Sequence, residues 1–393
     1  MVIQVCPALM DWIVFLVQFA ALYGAGERGL STLQCAWLGG INQVTYMATS
    51  LAVGAVLSRR NAKGLLLAST AGGSLVGVAC IAVHAFAPLM VLLGLFGVCL
   101  ATFFNSFQTF MRGETAPGGL ALTVGRYTLA WSGGSAVGFL SSGSFYRLGV
   151  VPLSLLTLVV GAVIFAALMR HRSRDEGAVS ADEHVESAVV GARAVDARYV
   201  MVAWCIILTA MFVQRPVQSL FPAVCARLQI APFWPGLVLA LHMLVQAFWG
   251  YRVAGFGSWR YRRTPLVLMH TGGALVLSLA WLRPSFAVTA LALTAAGFYT
   301  GFAYFMAVYY ASNSGRRSFN VGVNECLVGL GSFAGLFVCQ WWMKRLGSDE
   351  VMYLVCAVAL MVSLLVQLLL GSRPRRALSA EPAAAPPLPE SAG

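Results

Sequence analysis

The chain has 393 residues, 59% of them hydrophobic and only 10% charged, with 26 lysines and arginines against 14 acids for a net charge of +12. A water-soluble chain of this length carries roughly a quarter charged residues and shows amphipathic stripes, because each surface helix meets water on one side. The composition excludes that class, and the scatter of the basic residues over separate short connections excludes a nucleic-acid-binding patch.

A bilayer demands about 20 apolar residues per spanning helix, with every backbone polar group satisfied inside the segment. Twelve stretches answer that description. In chain order they fall near residues 12–25, 33–57, 65–86, 89–110, 120–145 and 150–169, then 199–221, 234–254, 266–282, 286–310, 321–343 and 351–370. No lysine or arginine precedes the first stretch and Asp11 stands at its start, so it is expected to be retained as a helix and not cleaved as a leader. The expected organisation is a six-helix bundle over 1–169, a cytoplasmic linker over 170–198, a second six-helix bundle over 199–372 and a disordered cytoplasmic tail over 373–393. The linker mixes Arg172, Asp175, Glu176, Asp182 and Glu183 with small residues; the tail is rich in alanine and proline.

Lysine and arginine stay on the cytoplasmic side of short loops. With the amino terminus inside, the inner connections hold eighteen of them and the outer ones six, which puts both ends in the cytoplasm and independently supports an even number of spans. The nine cysteines form no C-x-x-C pair and no histidine cluster accompanies them, so neither a disulfide framework nor a metal site nor any cofactor is expected.

An offset of about 197 residues lays Gly134-Ser135-Ala136-Val137-Gly138 over Gly331-Ser332-Phe333-Ala334-Gly335, in the fifth and eleventh spans. The basic turn Ser58-Arg59-Arg60 likewise faces Tyr261-Arg262-Arg263. Two halves in parallel repeat are implied. On this architecture the chain resembles the major facilitator superfamily of secondary transporters, over its whole length apart from the tail. Its loop between the second and third spans, Gly54-Ala55-Val56-Leu57-Ser58-Arg59-Arg60-Asn61-Ala62-Lys63, is similar to the family pattern G-x-x-x-D-R-x-G-R-K, with Ser58 at the aspartate and Asn61 at the second glycine. Gly134 to Gly143 resembles the antiporter pattern G-x-x-x-G-P-x-x-G-G, with Phe139 at the proline.

The resemblance implies an all-α membrane protein of twelve transmembrane helices in two pseudo-symmetric six-helix bundles. These would move a small solute by rocking about a site lined by helices 1, 4, 7 and 10. Polar residues on those helices are the candidates for solute binding: Gln18 and Tyr23, Asn105 and Gln108, Gln214, Arg215 and Gln218, and Tyr299 and Tyr304. A charge inside a span costs about 2.5 to 3.5 kcal/mol on insertion scales, so Arg215 either snorkels to the outer headgroups or anchors an anionic or hydrogen-bonding solute. The tyrosines suit stacking on a solute or an interfacial belt. His242 and Gln246 share a helix face at i, i+4, and His242 is a candidate for ion coupling or for a tie to a neighbouring helix.

Glu325 is the only acid expected more than about a turn inside a span. The resemblance implies helix 11 against helix 2, which would bring it to Arg59 or Arg60 as a gate between the halves; a bridge to Arg316 or Arg317, or a titrating proton site, are the alternatives. Arg126 lies at similar depth and either pairs across the halves or meets lipid phosphate. No H-E-x-x-H, G-x-S-x-G, paired intramembrane carboxylates or nucleotide-binding glycine loop is present, which argues against a membrane-embedded enzyme. The reading is a transporter, acting as a monomer with membrane lipids and a small solute as its partners, in a bacterial inner membrane. A transporter-like sensor is the alternative.

Overall fold

The computed structural model describes residues 2–114, 120–171, 198–312 and 317–372. Among the described residues twelve α-helices follow in order: α1 Val2–Glu27, α2 Thr32–Val56, α3 Arg59–Ala82, α4 Phe86–Glu114, α5 Leu120–Phe145, α6 Val150–Arg170, α7 Arg198–Arg227, α8 Phe233–Gly255, α9 Arg263–Leu282, α10 Phe286–Ser312, α11 Arg317–Leu346 and α12 Val351–Ser372. The linker apart from its ends, the tail, and Arg316 lie outside the described residues.

The helices form two bundles of six with matching internal packing. In the first, α1 packs on α5, α2 on α4 and α3 on α6; in the second, α7 packs on α11, α8 on α10 and α9 on α12. The bundles meet along α5 with α8, α2 with α11 and α1 with α7. Burial follows this order: 78% of the spanning stretch of α1 and 67% of that of α7 are buried, against 28% in α6 and 39% in α12. The peripheral helices turn apolar faces outward at helical spacing, Val151, Leu155, Val159 and Val163 on α6 and Val358, Val362, Leu365 and Leu369 on α12, as a lipid-facing surface requires.

Ten of the helices are long and apolar enough to cross a membrane on length and composition. The other two are α2 and α5, which are as long as their neighbours but carry the polar seam between bundles. Asn42, Gln43 and Ser50 are buried on α2, and Thr128, Ser132, Ser135 and Ser142 on α5. These polar residues face protein, while Trp37 and Leu51 on α2 and Leu129 and Val137 on α5 keep an apolar outer face.

The glycine repeat has a structural counterpart. Gly134 and Gly138 bring α5 onto the backbone carbonyls of Ala8 and Trp12 on α1, and Gly331 and Gly335 bring α11 onto those of Leu208 and Phe212 on α7. A Cβ at any of the four would overlap the facing carbonyl, the close approach that small residues permit between membrane helices. On α7 the carbonyl at Phe212 is also the one whose donor is missing, because Pro216 four residues later has no N–H.

Two expectations are corrected. The first helix begins at Val2, ten residues before the expected start, because Pro7 falls near enough to the helix start to be absorbed and Asp11 is buried against protein. Asp11 therefore stands well inside α1 and is 6% exposed, so Glu325 is not the only deep acid. At the second to third connection, Ser58 and Asn61 act as a cap for α3: the Ser58 N–H donates to Asn61 Oδ1 at 2.8 Å, and Asn61 Nδ2 donates to the Val56 carbonyl at 2.8 Å. Asn61→Ala is expected to lose this reciprocal cap, lowering stability by about 1 kcal/mol in thermal unfolding.

Candidate functional site

Asp11, Phe15 and Gln18 lie on one face of α1 at spacings of four and three. Against that face α7 brings Arg215. Its Nη1 donates to Gln18 Oε1 at 3.2 Å, and its guanidinium carbon lies 5.9 Å from the centroid of the Phe15 ring, within cation–π range. Arg215 stands twelve residues short of Arg227 at the end of α7, about 18 Å along the axis. The guanidinium is thus directed across the seam into the interior, not to the outer headgroups.

From Gln18 a chain of amides continues into the first bundle. Gln18 Nε2 donates to Asn42 Oδ1 at 3.4 Å, Gln43 Nε2 donates to the same oxygen at 3.0 Å, and Asn42 Nδ2 donates to the Leu93 carbonyl at 3.1 Å. Arg215 is in this way fixed to the wall formed by α2 and α4, although it belongs to the other bundle.

Glu325 makes the second link between bundles. Its Oε2 accepts from the Tyr46 hydroxyl on α2 at 2.8 Å and its Oε1 accepts from Gln108 Nε2 on α4 at 2.9 Å. Both carboxylate oxygens are held by neutral donors of the first bundle, Tyr46 and Gln108, in place of the expected Arg59 or Arg60. The Arg59 side chain and Arg316 lie outside the described residues, and Arg60 is exposed at the start of α3. On the α5 and α8 seam, Gln246 Nε2 donates to Ser132 Oγ at 2.9 Å and the rings of Trp131 and Tyr304 pack with centroids 4.3 Å apart. Tyr304 stands within electrostatic reach of Asp11, Arg215 and Glu325 alike.

The end of the seam at the α1–α2 and α7–α8 turns is closed by other contacts. The Tyr23 hydroxyl donates to the Ile230 carbonyl at 2.7 Å, Arg227 Nη1 donates to Thr32 Oγ1 at 2.7 Å, Gly26 lies on the backbone of Ala223, and Gly143 faces Gly236. Tyr23 therefore belongs to this seal, apart from the inner cluster with which the sequence grouped it.

Of the remaining candidates, Gln214 donates to Gln246 Oε1 at 2.7 Å and Gln218 to Met243 Sδ at 3.4 Å, both between α7 and α8. Asn105 donates to Ser50 Oγ at 3.0 Å within the first bundle. Tyr299 turns toward α9, its ring edge-on to His270 at 5.0 Å. His242 ties α8 to α10 through Nδ1 and the Leu293 carbonyl at 2.7 Å. Arg126 is exposed. Gln18, Gln108, Arg215, Tyr304 and Glu325 are thus brought to the seam, while Tyr23, Asn105, Gln218, Tyr299, His242 and Arg126 are placed elsewhere. Sequence reasoning missed Asp11, Asn42, Gln43 and Tyr46; paired amides inside an apolar run were the available signal for Asn42 and Gln43.

Comparison with known proteins agrees with this architecture. The family model described as Major Facilitator Superfamily matches residues 1–314. Among solved structures, a bacterial homologue of the human lysosomal transporter Spinster, in an inward-facing and unoccupied conformation, is similar with a TM-score of 0.65. The identity is 12%, and the match covers 93% of this chain and 95% of that one. No curated protein matches the sequence. With the family model spanning most of the chain, and two six-helix bundles joined at a polar seam, the chain belongs to the major facilitator superfamily and is a membrane-embedded secondary transporter of a small solute, working by alternating access.

Proposed function

We propose that the solute is held midway across the membrane between α1, α7 and α10, with Asp11, Gln18, Arg215 and Tyr304 as its binding groups. Glu325, Tyr46 and Gln108 then form a clasp on the inner side, and Tyr23, Arg227 and the α1–α7 glycine contact form the outer seal. The observation that carries this reading is the bond from Arg215 to Gln18. It places a charge on the seam between the two most buried helices, where it is expensive unless it serves the transported species. Rocking of the bundles separates α1 from α7 on one face at a time, so the same residues meet solute from either side.

The protein works as a monomer in a bacterial inner membrane, with both termini, the 170–198 linker and the 373–393 tail in the cytoplasm. The lysine and arginine bias of its loops supports that orientation. Residues 1–169 and 199–372 are the two moving units, and the chain carries solute without chemically altering it. Glu325 is the titratable group of the clasp, whereas His242, bound to a main-chain carbonyl within one bundle, is a tie between helices.

Thermal unfolding of the purified protein against sugars, organic acids, nucleosides, amino acids and drugs tests the site. A ligand at 100 times its Kd stabilises by about 2.7 kcal/mol. The expected result is stabilisation by one chemical class that disappears in Arg215→Gln. Stabilisation that survives the substitution would move the solute away from Arg215.

A further inference from the structure

Buried charges in proteins are paired or otherwise compensated, because an isolated ion in a low-dielectric interior is too costly to keep. Asp11 and Arg215 stand near each other on α1 and α7 without forming such a pair. Among the described residues the ion pairs are Arg147 with Glu27 and Arg227 with Asp349, both at the outer face. Asp11 is buried, accepts no hydrogen bond from a described residue and makes no ion pair with Arg215, although the two lie within electrostatic reach of each other. Arg215 gives Nη1 to Gln18, but its Nε is buried with no partner. Glu325 is different, since both of its oxygens are satisfied.

The seam therefore carries one carboxyl group on α1 with no hydrogen bond to a described residue and one guanidinium edge on α7 with no partner, held apart. Their separation along α1 is set by Phe15, which lies under the guanidinium and one turn, about 6 Å, from Asp11. A lone anion would compensate Arg215 but leave the Asp11 carboxyl without a partner, and a lone cation at Asp11 would sit beside the Arg215 charge. A molecule bearing both charges meets each with its complement and adds no net charge to the buried site.

Building on the central-site reading above, we propose that the transported solute is a small zwitterion, its cationic group at the Asp11 carboxylate and its anionic group at the Nε edge of Arg215. Phe15, Tyr304 and Trp131 supply the apolar and aromatic wall beside it. The two anchoring charges lie on different bundles, so bound solute replaces the missing ion pair and draws α1 and α7 together.

The test uses the purified full chain and zwitterions of graded length: glycine, β-alanine, γ-aminobutyrate, the common amino acids and dipeptides. Each one that stabilises against heat is compared with its N-acetyl derivative, which keeps only the anion, and its methyl ester, which keeps only the cation. At least one zwitterion is expected to bind, with both derivatives at least ten-fold weaker. Asp11→Asn is expected to weaken the zwitterion at least ten-fold while leaving its N-acetyl derivative unchanged or improved. A derivative that equals its parent on the unsubstituted protein overturns the proposal without recourse to any variant. So does the absence of any zwitterion effect. If a sugar, nucleoside or drug stabilises instead and loses its effect in Arg215→Gln, the central site stands and only the zwitterion falls. If Asp11→Asn leaves ligand stabilisation intact but abolishes uptake driven by a pH gradient in proteoliposomes, Asp11 is a proton site and the proposal is wrong.

Discussion

Replacing Glu325 by alanine is expected to loosen the seam between the bundles where α11 meets α2 and α4. The substitution leaves the Tyr46 hydroxyl and the Gln108 amide without their acceptor at the seam, and an unsatisfied buried donor costs about 1–3 kcal/mol. Even a net bias of about 2 kcal/mol shifts a two-state population roughly 30-fold. Amide hydrogen exchange of the purified protein is expected to accelerate in the inner halves of α2 and α4, the elements that hold Tyr46 and Gln108, and to stay unchanged near Tyr23 and Arg227 at the outer seal. Glu325→Gln should fall between the two, since its carbonyl oxygen still accepts from one donor. Exchange that is the same in all three proteins would show that the clasp does not hold the bundles together.

The second large effect lies in the glycine contacts. Gly134→Leu and Gly331→Leu are each expected to prevent recovery of folded protein, because the side chain must displace a whole helix from the carbonyl of Ala8 or of Leu208. The alanine variants report the same contact more gently. Overpacking costs about 1–3 kcal/mol, so the midpoint of thermal unfolding should fall by several degrees for Gly134→Ala and Gly331→Ala. Gly272 on α9 has open space where its Cβ would be, and Gly272→Ala is expected to leave the midpoint unchanged or raise it. Equal effects at all three positions would remove the packing explanation of the repeat.

These contacts also show why some of the architecture could be read from the chain and some could not. Lipid imposes an apolar period-free run on every peripheral helix, so α6 and α12 stand out at once. The Gly134 and Gly331 motifs were visible because close helix approach leaves few residue choices at a fixed spacing. The start of α1 was misplaced because Gln4, Pro7 and Asp11 interrupt the apolar run, and hydropathy cannot distinguish a polar residue facing water from one facing another helix. Asp11 was lost with them.

Glu325 was conspicuous as an acid inside an apolar stretch, yet its partners were not. Tyr46 is 279 residues away and looks like any aromatic in a spanning helix; only the tertiary arrangement of α2 against α11 brings the two together. Choosing binding residues by polarity alone also gathered Tyr23, which bonds the Ile230 carbonyl, and Tyr299, which packs on His270. Nothing in their local sequence separates them from Tyr304, which does reach the seam. Arg215 was legible as an anomaly, but its direction was not: the same side chain reaches a headgroup or Gln18 depending on what lies across the helix face.

The most direct measurement is a pair of distances across the two bundles, with spin labels on non-natural residues so that the nine native cysteines are left in place. One pair joins Leu33 to Leu228 at the outer ends of α2 and α7, and the other joins Val56 to Thr264 at the inner ends of α2 and α9, all four being exposed. Alternating access about a site at Arg215 predicts two populations in which the distances change in opposite directions. Glu325→Ala favours the population with the longer inner distance, and a bound solute changes the balance between them. Distances that stay fixed under both perturbations, or lengthen together, would contradict it.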